Sequence, residues 1–211
     1  MEIVCITVST NYSDLLDIII PQNHKFFKKW YVITSENDID TIDCIKKHNC
    51  SNIEMMYFDF KSNNNIFNKG GAIRYCQNIV SLLDYKGLVL LLDSDIYLPD
   101  NFMEIINGVN IADNTLYGTN KRYDYHSYLN FINNKIDFDY PWSKEFQGYF
   151  QLYIHNEKLL YDESYNCSEC DLKFQKYFSS KIIIPNLNVS HLGKPTINWN
   201  GRTSHNDFIK N

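Results

Sequence analysis

Five uncharged apolar residues, Leu88-Val-Leu-Leu-Leu92, run directly into Asp93-Ser-Asp95, and this junction constrains the chain more than any other segment. A run of that length without a charge is the pattern of a strand buried on both faces, as in a parallel sheet. The acids that follow mark the point where the strand leaves the core. Residues i and i+2 of a strand point to the same side, so the spacing predicts that both carboxylates face one divalent cation at the strand's carboxyl edge. Open α/β sheets bind their ligands in the crevice beyond that edge. An isolated Asp pair is also an ordinary turn former, so the rest of the chain has to decide between the two. Pro99 and the Asp100-Asn101 pair close the segment and cap a helix beginning near Phe102.

The first half alternates strands with helical patterns. Ile3 to Val8, Trp30 to Thr34, Ile53 to Phe58 and Leu88 to Leu92 read as strands, with helices expected from Asp14, over Ile39 to His48 and over Gly70 to Asp84. That alternation predicts βαβ units and a parallel sheet. In the second half Thr115 to Gly118, Gly148 to His155 and Lys181 to Pro185 read as strands and Asp171 to Phe178 as a helix. Between them Tyr123 to Glu145 reads as a long aromatic and polar loop, a class that is usually functional. A chain of 211 residues without a Pro/Gly/Ser-rich linker is expected to be one domain over 1–211, with residues 1–100 and 101–211 as its two halves.

A net charge of -5 excludes a polycationic field for nucleic acid or anionic membrane, so bound phosphate has to be held by a few local cations or a metal. No segment approaches a membrane span, and the N-terminus lacks the basic start of a signal peptide, so a soluble cytoplasmic protein is expected. Six cysteines invite a test for zinc. Cys44, His48 and Cys50 are close in sequence but lack the usual pair spacing, and Cys167-Ser-Glu-Cys170 is a lone C-x-x-C, so free thiols in a reducing compartment are the expectation. Aromatic residues reach 15%, with 16 Tyr and 13 Phe, a composition suited to stacking on the apolar faces of sugar rings.

Taken in order, the landmarks are a first strand ending in Thr7 to Asn11, the segment Val32 to Asp38, Phe67-Asn-Lys-Gly-Gly-Ala-Ile-Arg74, Asp93-Ser-Asp95, Glu169-Cys-Asp171 and His191-Leu-Gly-Lys-Pro195. Their succession resembles the GT-A glycosyltransferases, whose fold is a single αβα sandwich with a mostly parallel central sheet, a nucleotide half and an acceptor half. The resemblance implies that Asp95 ligates Mn²⁺ or Mg²⁺, that Asp93 contacts metal or ribose with Ser94 close to the sugar, and that His191 is a third ligand with Lys194 on a phosphate oxygen. It further implies that Thr7, Ser9, Thr10 and Asp38 lie at the base, where Asp38 accepts from a uracil N–H or caps the following helix. Lys69 and Arg74 contact base or diphosphate, or simply accompany a Gly-Gly helix start. Glu169 or Asp171 is the carboxylate that removes the acceptor's proton, with Asp171 favoured by its place before Leu172. Trp142, Phe146, Gln147-Gly148-Tyr149 and Tyr125 fall in the acceptor region.

The implied activity is metal-dependent transfer of a sugar from a nucleoside-diphosphate sugar, UDP favoured, to a hydroxyl of a glycan or similar acceptor, with inversion. Three other readings compete. A binding module of the same fold retains Asp93 and Asp95 but has no need of Glu169 and Asp171. A haloacid-dehalogenase phosphatase places its Asp-x-Asp after the first strand, whereas three strands precede Asp93 here. A nucleotidyltransferase calls for a glycine-rich loop after the first strand, and Thr7 to Ser13 has no glycine.

Overall fold

The computed structural model describes residues 1–140, 146–194, 198, 200–203 and 208. Strands β1 (Ile3–Val8), β2 (Lys29–Thr34), β3 (Ile53–Tyr57) and β4 (Leu88–Leu92) alternate with helices α1 (Ser13–Asn23), α2 (Ile39–His48) and α3 (Lys69–Leu82). Then follow β5 (Ile96–Tyr97), α4 (Phe102–Asn107), β6 (Thr115–Gly118), β7 (Lys121–Tyr125), α5 (Tyr128–Ile132), β8 (Phe138–Tyr140), β9 (Phe150–Ile154), α6 (Cys170–Phe174), β10 (Ser180–Ile183) and β11 (Asn188–Leu192). Seven strands form the central sheet in the order β3-β2-β1-β4-β9-β6-β10. All its neighbouring pairs are parallel except those made by β9, which runs antiparallel to both β4 and β6. The mostly parallel αβα sheet expected from the sequence is the one found.

The two faces follow from the period-two alternation of the strands. Ile3 and Cys5 of β1, Trp30 and Val32 of β2, and Leu88, Leu90 and Leu92 of β4 pack with Leu15, Leu16 and Ile19 of α1 and Ile45 of α2. Their neighbours Val4, Ile6, Tyr31, Ile33, Val89 and Leu91 pack instead with Ala72, Ile73 and Val80 of α3 and Phe174 of α6. Every residue of β1 and β4 is therefore buried, which is why the uncharged run at Leu88 was readable as an interior strand.

A second sheet, ordered β5-β11-β7-β8, had no clear trace in the sequence. The segment read as a loop from Tyr123 supplies β7, α5 and β8, while Trp142 lies outside the described residues. Two of the four strands have only two or three residues, and β7, Lys-Arg-Tyr-Asp-Tyr, carries polar residues where an amphipathic strand is expected to be apolar. Among the described residues no helix is long and apolar enough to cross a membrane.

The second sheet is anchored to α1 through buried amides, with Gln22 Nε2 donating to Leu98 O at 3.0 Å and Asn23 bonding on both sides of Tyr97. Asn23 Nδ2 donates to Ile96 O at 2.8 Å, and Leu98 N donates to Asn23 Oδ1 at 3.1 Å, just past Asp95. Asn23→Ala strands one buried carbonyl and one buried N–H, and is expected to lower unfolding free energy by about 2–4 kcal/mol, since each orphaned group costs about 1–3 kcal/mol. A reduced urea midpoint at unchanged slope checks this.

Candidate functional site

The ladder between β4 and β9 continues for one step, Asp93 N to Tyr149 O at 3.1 Å, and then breaks. Ile96 N closes a turn onto Asp93 O at 3.3 Å, and the Ser94 hydroxyl donates to Val8 O at 2.7 Å, pinning the turn to the end of β1. Asp93 and Asp95 therefore sit in a turn and not on a pleated strand. The expectation that strand alternation aims both at one point does not hold; the turn brings both to the wall of one cavity of about 380 Å³ at the carboxyl edge of β1 and β4. Lys69, Ser94, Glu169, Asp171, His191 and Lys194 line the same cavity, with Lys194 exposed at its rim.

Each acid of the turn meets a different cation. Lys69 Nζ lies 2.6 Å from Asp93 Oδ1. Burial is the larger influence on Asp93 and keeps its carboxyl above the ordinary range in spite of that lysine, with Asp95 adding to the effect. Burial acts on Asp95 in the same sense, yet the His191 imidazolium outweighs it and holds this carboxyl below the ordinary range. His191 Nε2 is 3.5 Å from Asp95 Oδ2, and Nδ1 is 3.1 Å from Asp124 Oδ1. Burial alone depresses an imidazole, but the two carboxylates raise this one to about 9. Asp95 Oδ1, buried in the same turn, has no hydrogen-bond partner among the described residues.

Behind His191 a buried polar chain fixes its ring. Asp124, fully buried on β7, receives Arg122 through Nε at 2.9 Å and Nη2 at 3.2 Å. The guanidinium covers the Tyr149 ring at 4.9 Å, and the Tyr149 hydroxyl meets Thr119 Oγ1 at 2.7 Å. Parallel pairing of β11 with β7 sets His191 opposite Asp124. A histidine with one nitrogen held by a carboxylate and the other beside an acid is the arrangement that orients a metal-binding imidazole.

The Gly-Gly segment is used differently from a phosphate loop. Gly71 N donates to the Asn68 side chain at 2.8 Å and Gly70 N to Ser164 Oγ at 3.0 Å, so these first-turn N–H groups of α3 are already taken. A Cβ on Gly70 would lie 2.0 Å from Asp162 O, so glycine is required there by close backbone approach. What α3 contributes to the cavity is the Lys69 ammonium. Across from it, Asp171 Oδ2 accepts from Gly148 N at 2.7 Å. Glu169, left-handed at φ 67, presents a side chain 70% exposed at the rim.

Of the other residues singled out in the sequence, some line the cavity and some lie elsewhere. Thr7 is fully buried, its hydroxyl accepting from Trp30 Nε1 at 2.9 Å. Asp38 caps α2 through Thr41 N at 3.2 Å and also accepts from Asn11 N at 2.6 Å and Thr34 Oγ1 at 3.2 Å. Its carboxylate serves the backbone, the N-cap alternative. Arg74 is exposed on α3 and does not line the cavity. Ser9 and Thr10 carry hydroxyls without a partner among the described residues and adjoin the lining residue Val8. Phe146 packs against the position of Gly118, Tyr125 is buried in the core, and Gln147, Gly148 and Tyr149 line the cavity.

Four site residues went unread. Arg122 and Asp124 left one signal, an i, i+2 charge pair between tyrosines. Tyr12 and Arg202 left none, because the long-range return of the chain creates their pairing: Arg202 forms a two-pronged ion pair with buried Asp14 and covers the Tyr12 ring at 4.9 Å. Asn198 donates to the Tyr12 hydroxyl at 3.1 Å.

This sheet order with one reversed strand, and a cavity at its carboxyl edge, defines a GT-A/nucleotidyltransferase-like fold. Among solved structures the chain is similar to a 4-diphosphocytidyl-2C-methyl-D-erythritol synthase at TM-score 0.56 and 11% identity, over 92% of this chain and 95% of that one. It is also similar to glucosyl-3-phosphoglycerate synthase from Mycobacterium tuberculosis, in complex with Mg²⁺ and UDP, at TM-score 0.52 and 10% identity over 92% and 72% of the two chains. A third is the inositol-1-phosphate CTP transferase from T. maritima, at TM-score 0.50 and 9% identity over 91% and 89%. No protein-family model matches the sequence. No curated protein matches it either. At such identities the shared property is the fold.

Arg122→Met leaves Asp124 as a buried carboxylate with one partner fewer. A loss of about 3–5 kcal/mol in unfolding free energy is expected, the cost of breaking a buried pair from one side. Chemical denaturation beside the Asp124→Asn, Arg122→Met double variant checks it, since removing both charges recovers part of the loss.

Proposed function

We propose that this chain is a metal-dependent glycosyltransferase that moves a sugar from a nucleoside-diphosphate sugar, UDP-sugar favoured, to a hydroxyl of a glycan or similar acceptor, with inversion. The observation that carries the reading is the buried, unpartnered Oδ1 of Asp95 at a cavity that also holds Asp93 and His191. Two carboxylates and an imidazole oriented by Asp124 suit Mn²⁺ or Mg²⁺. Asp93, Asp95 and His191 would hold the ion, and bound there it would stabilise negative charge on a departing diphosphate. The glucosyl-3-phosphoglycerate synthase of the same fold, solved with Mg²⁺ and UDP, supports the assignment.

The chain's own groups then divide the work. Lys69, drawn toward Asp93, and Lys194 at the rim supply positive charge for phosphate oxygens. The Tyr12 ring and the free hydroxyls of Ser9 and Thr10 are assigned to the nucleoside, with Ser94 holding the turn in place. Asp38 acts at one remove, by fixing Asn11, and Thr7 and Arg74 have no part. Asp171 is assigned as general base. The acceptor oxygen forms its bond to the anomeric carbon, its proton passes to the carboxylate, and the bond to the diphosphate breaks with the electron pair leaving on the phosphate oxygen. Glu169, more exposed, is the alternative base.

A nucleotidyltransferase is the second reading, favoured by the names of two structural neighbours. Against it, the segment after β1 has no glycine, and its Ser9 and Asn11 N–H groups are bonded to Ile33 O and Asp38. They are not available to cradle a triphosphate.

Thermal shift with UDP, GDP, CDP, dTDP, CTP and UTP, each with and without Mn²⁺, is expected to show stabilisation by one diphosphate that requires the metal and disappears in Asp95→Asn. Stabilisation by CTP or UTP but by no diphosphate favours the nucleotidyltransferase instead, and no metal-linked nucleotide binding overturns both. With the donor in hand, Asp171→Asn is expected to lower kcat by about 10²–10⁴-fold while leaving diphosphate affinity within a few-fold. A larger kcat loss in Glu169→Gln moves the base to Glu169.

A further inference from the structure

Two helical turns on the α1–α2 side of the sheet carry a second cluster of metal-ligating groups. Cys44 and His48 are four residues apart on α2 and so share one face of that helix. Packing of α1 against α2 brings Asp17 opposite them, with His48 Nε2 2.8 Å from Asp17 Oδ1. The thiol, the imidazole and the carboxylate each place a donor atom within 4.8 Å of the other two. None of the three lines the cavity holding Asp93 and Asp95.

We infer that Asp17, Cys44 and His48 form a binding site for a zinc-class divalent transition metal, separate from the candidate active site. Sulfur, nitrogen and oxygen donors together fit Zn²⁺ and its spectroscopic substitute Co²⁺, whereas the all-oxygen preference of Mg²⁺ does not. Bond lengths of about 2.0–2.3 Å to a tetrahedral ion put its ligands roughly 3.3–3.8 Å apart, close to the observed mutual spacing of donor atoms within 4.8 Å. Cys44 is buried and forms the inner wall, while Asp17 and His48 are partly exposed and leave an entry for the ion and a fourth position for water.

The same groups are also paired with other residues of the chain. Lys47 Nζ neutralises Asp17 at 2.8 and 3.0 Å, and Cys44 Sγ donates to Ser13 O at 3.3 Å. Metal binding would replace the ammonium at Asp17 and take the Cys44 thiolate and Nε2 of neutral His48; the thiol proton leaves to solvent, and the Nε2 proton that faces Asp17 moves to Nδ1 or leaves with it. Sequence spacing alone argued against such a site, because Cys44-x₃-His48 lacks a second pair. The missing donor is Asp17, 27 positions before Cys44 and supplied only by the helix packing.

Titration of the metal-free full chain with Co²⁺ is the test. The expected result is a one-equivalent thiolate-to-cobalt charge-transfer band in the near ultraviolet, with intense visible bands of a four-coordinate ion. Zn²⁺ abolishes both and excess Mg²⁺ does not. The band is lost in Cys44→Ser, persists in Cys167→Ser and in Asp95→Asn, and His48→Gln, at a partly exposed position, weakens Co²⁺ binding by more than about tenfold. Absence of a thiolate band in the wild-type chain overturns the inference, as does a band that survives Cys44→Ser or disappears with Cys167→Ser. Because the readout is optical and involves a thiolate, its failure is independent of nucleotide binding at Asp95.

Discussion

Two carboxylates cannot stay ionised in a half-buried turn unless each is met by positive charge, and that requirement organises the architecture around residues 93–95. Lys69 answers Asp93 from the first turn of α3, and His191 answers Asp95 from β11. The two cations arrive from opposite sides of the central sheet, so the turn joins the packing of both layers. Asp124 and Arg122 are the continuation of this compensation: once His191 is committed between two acids, the second acid is fully buried and needs a guanidinium of its own. A chain of alternating charges thus runs from the turn into the second sheet.

That chain also explains why the small sheet exists in its observed register. β11 pairs in parallel with β7 so that His191 stands opposite Asp124, and antiparallel with β5 so that the same residue stands opposite Ile96, next to Asp95. A slip by one residue turns every side chain to the other face and removes His191 from Asp95. Short strands with little apolar surface are held in place here by ion pairs and by the Asn23 amide. The cavity inherits a wall whose charges are fixed by their partners before any ligand arrives.

The opposite wall is built with less redundancy. Asp171 meets the protein through a hydrogen bond from Gly148 N, and Glu169 stands largely in solvent. One side of the cavity is therefore charge-paired, while the other presents Asp171 bonded to the backbone and Glu169 turned toward solvent.

The sequence by itself determined the central sheet, because its information is local: uninterrupted apolar runs at β1 and β4, and the alternation of strand and helix patterns through Leu82, follow from burial on both faces. It also marked Asp93 and Asp95, by their place after an apolar strand, and, through the resemblance that the ordered landmarks carry, Lys69, Asp171 and His191. Only the tertiary structure decided what those residues meet. Thr7 and Asp38 went to the core and to a helix cap because Trp30 and the backbone N–H of Thr41 lay nearer than any cavity. Asp93 and Asp95 converged through a turn, where Ser94 found Val8 O, and not through strand pleating. The pairing of Asp124 with His191, that of Arg202 with Asp14 and Tyr12, and that of Asp17 with Cys44 and His48 depend on contacts across tens to nearly two hundred positions, and no periodicity within a segment records a partner that distant. Local pattern fixes which face of an element is apolar; which buried charge neutralises which is settled only when the elements pack.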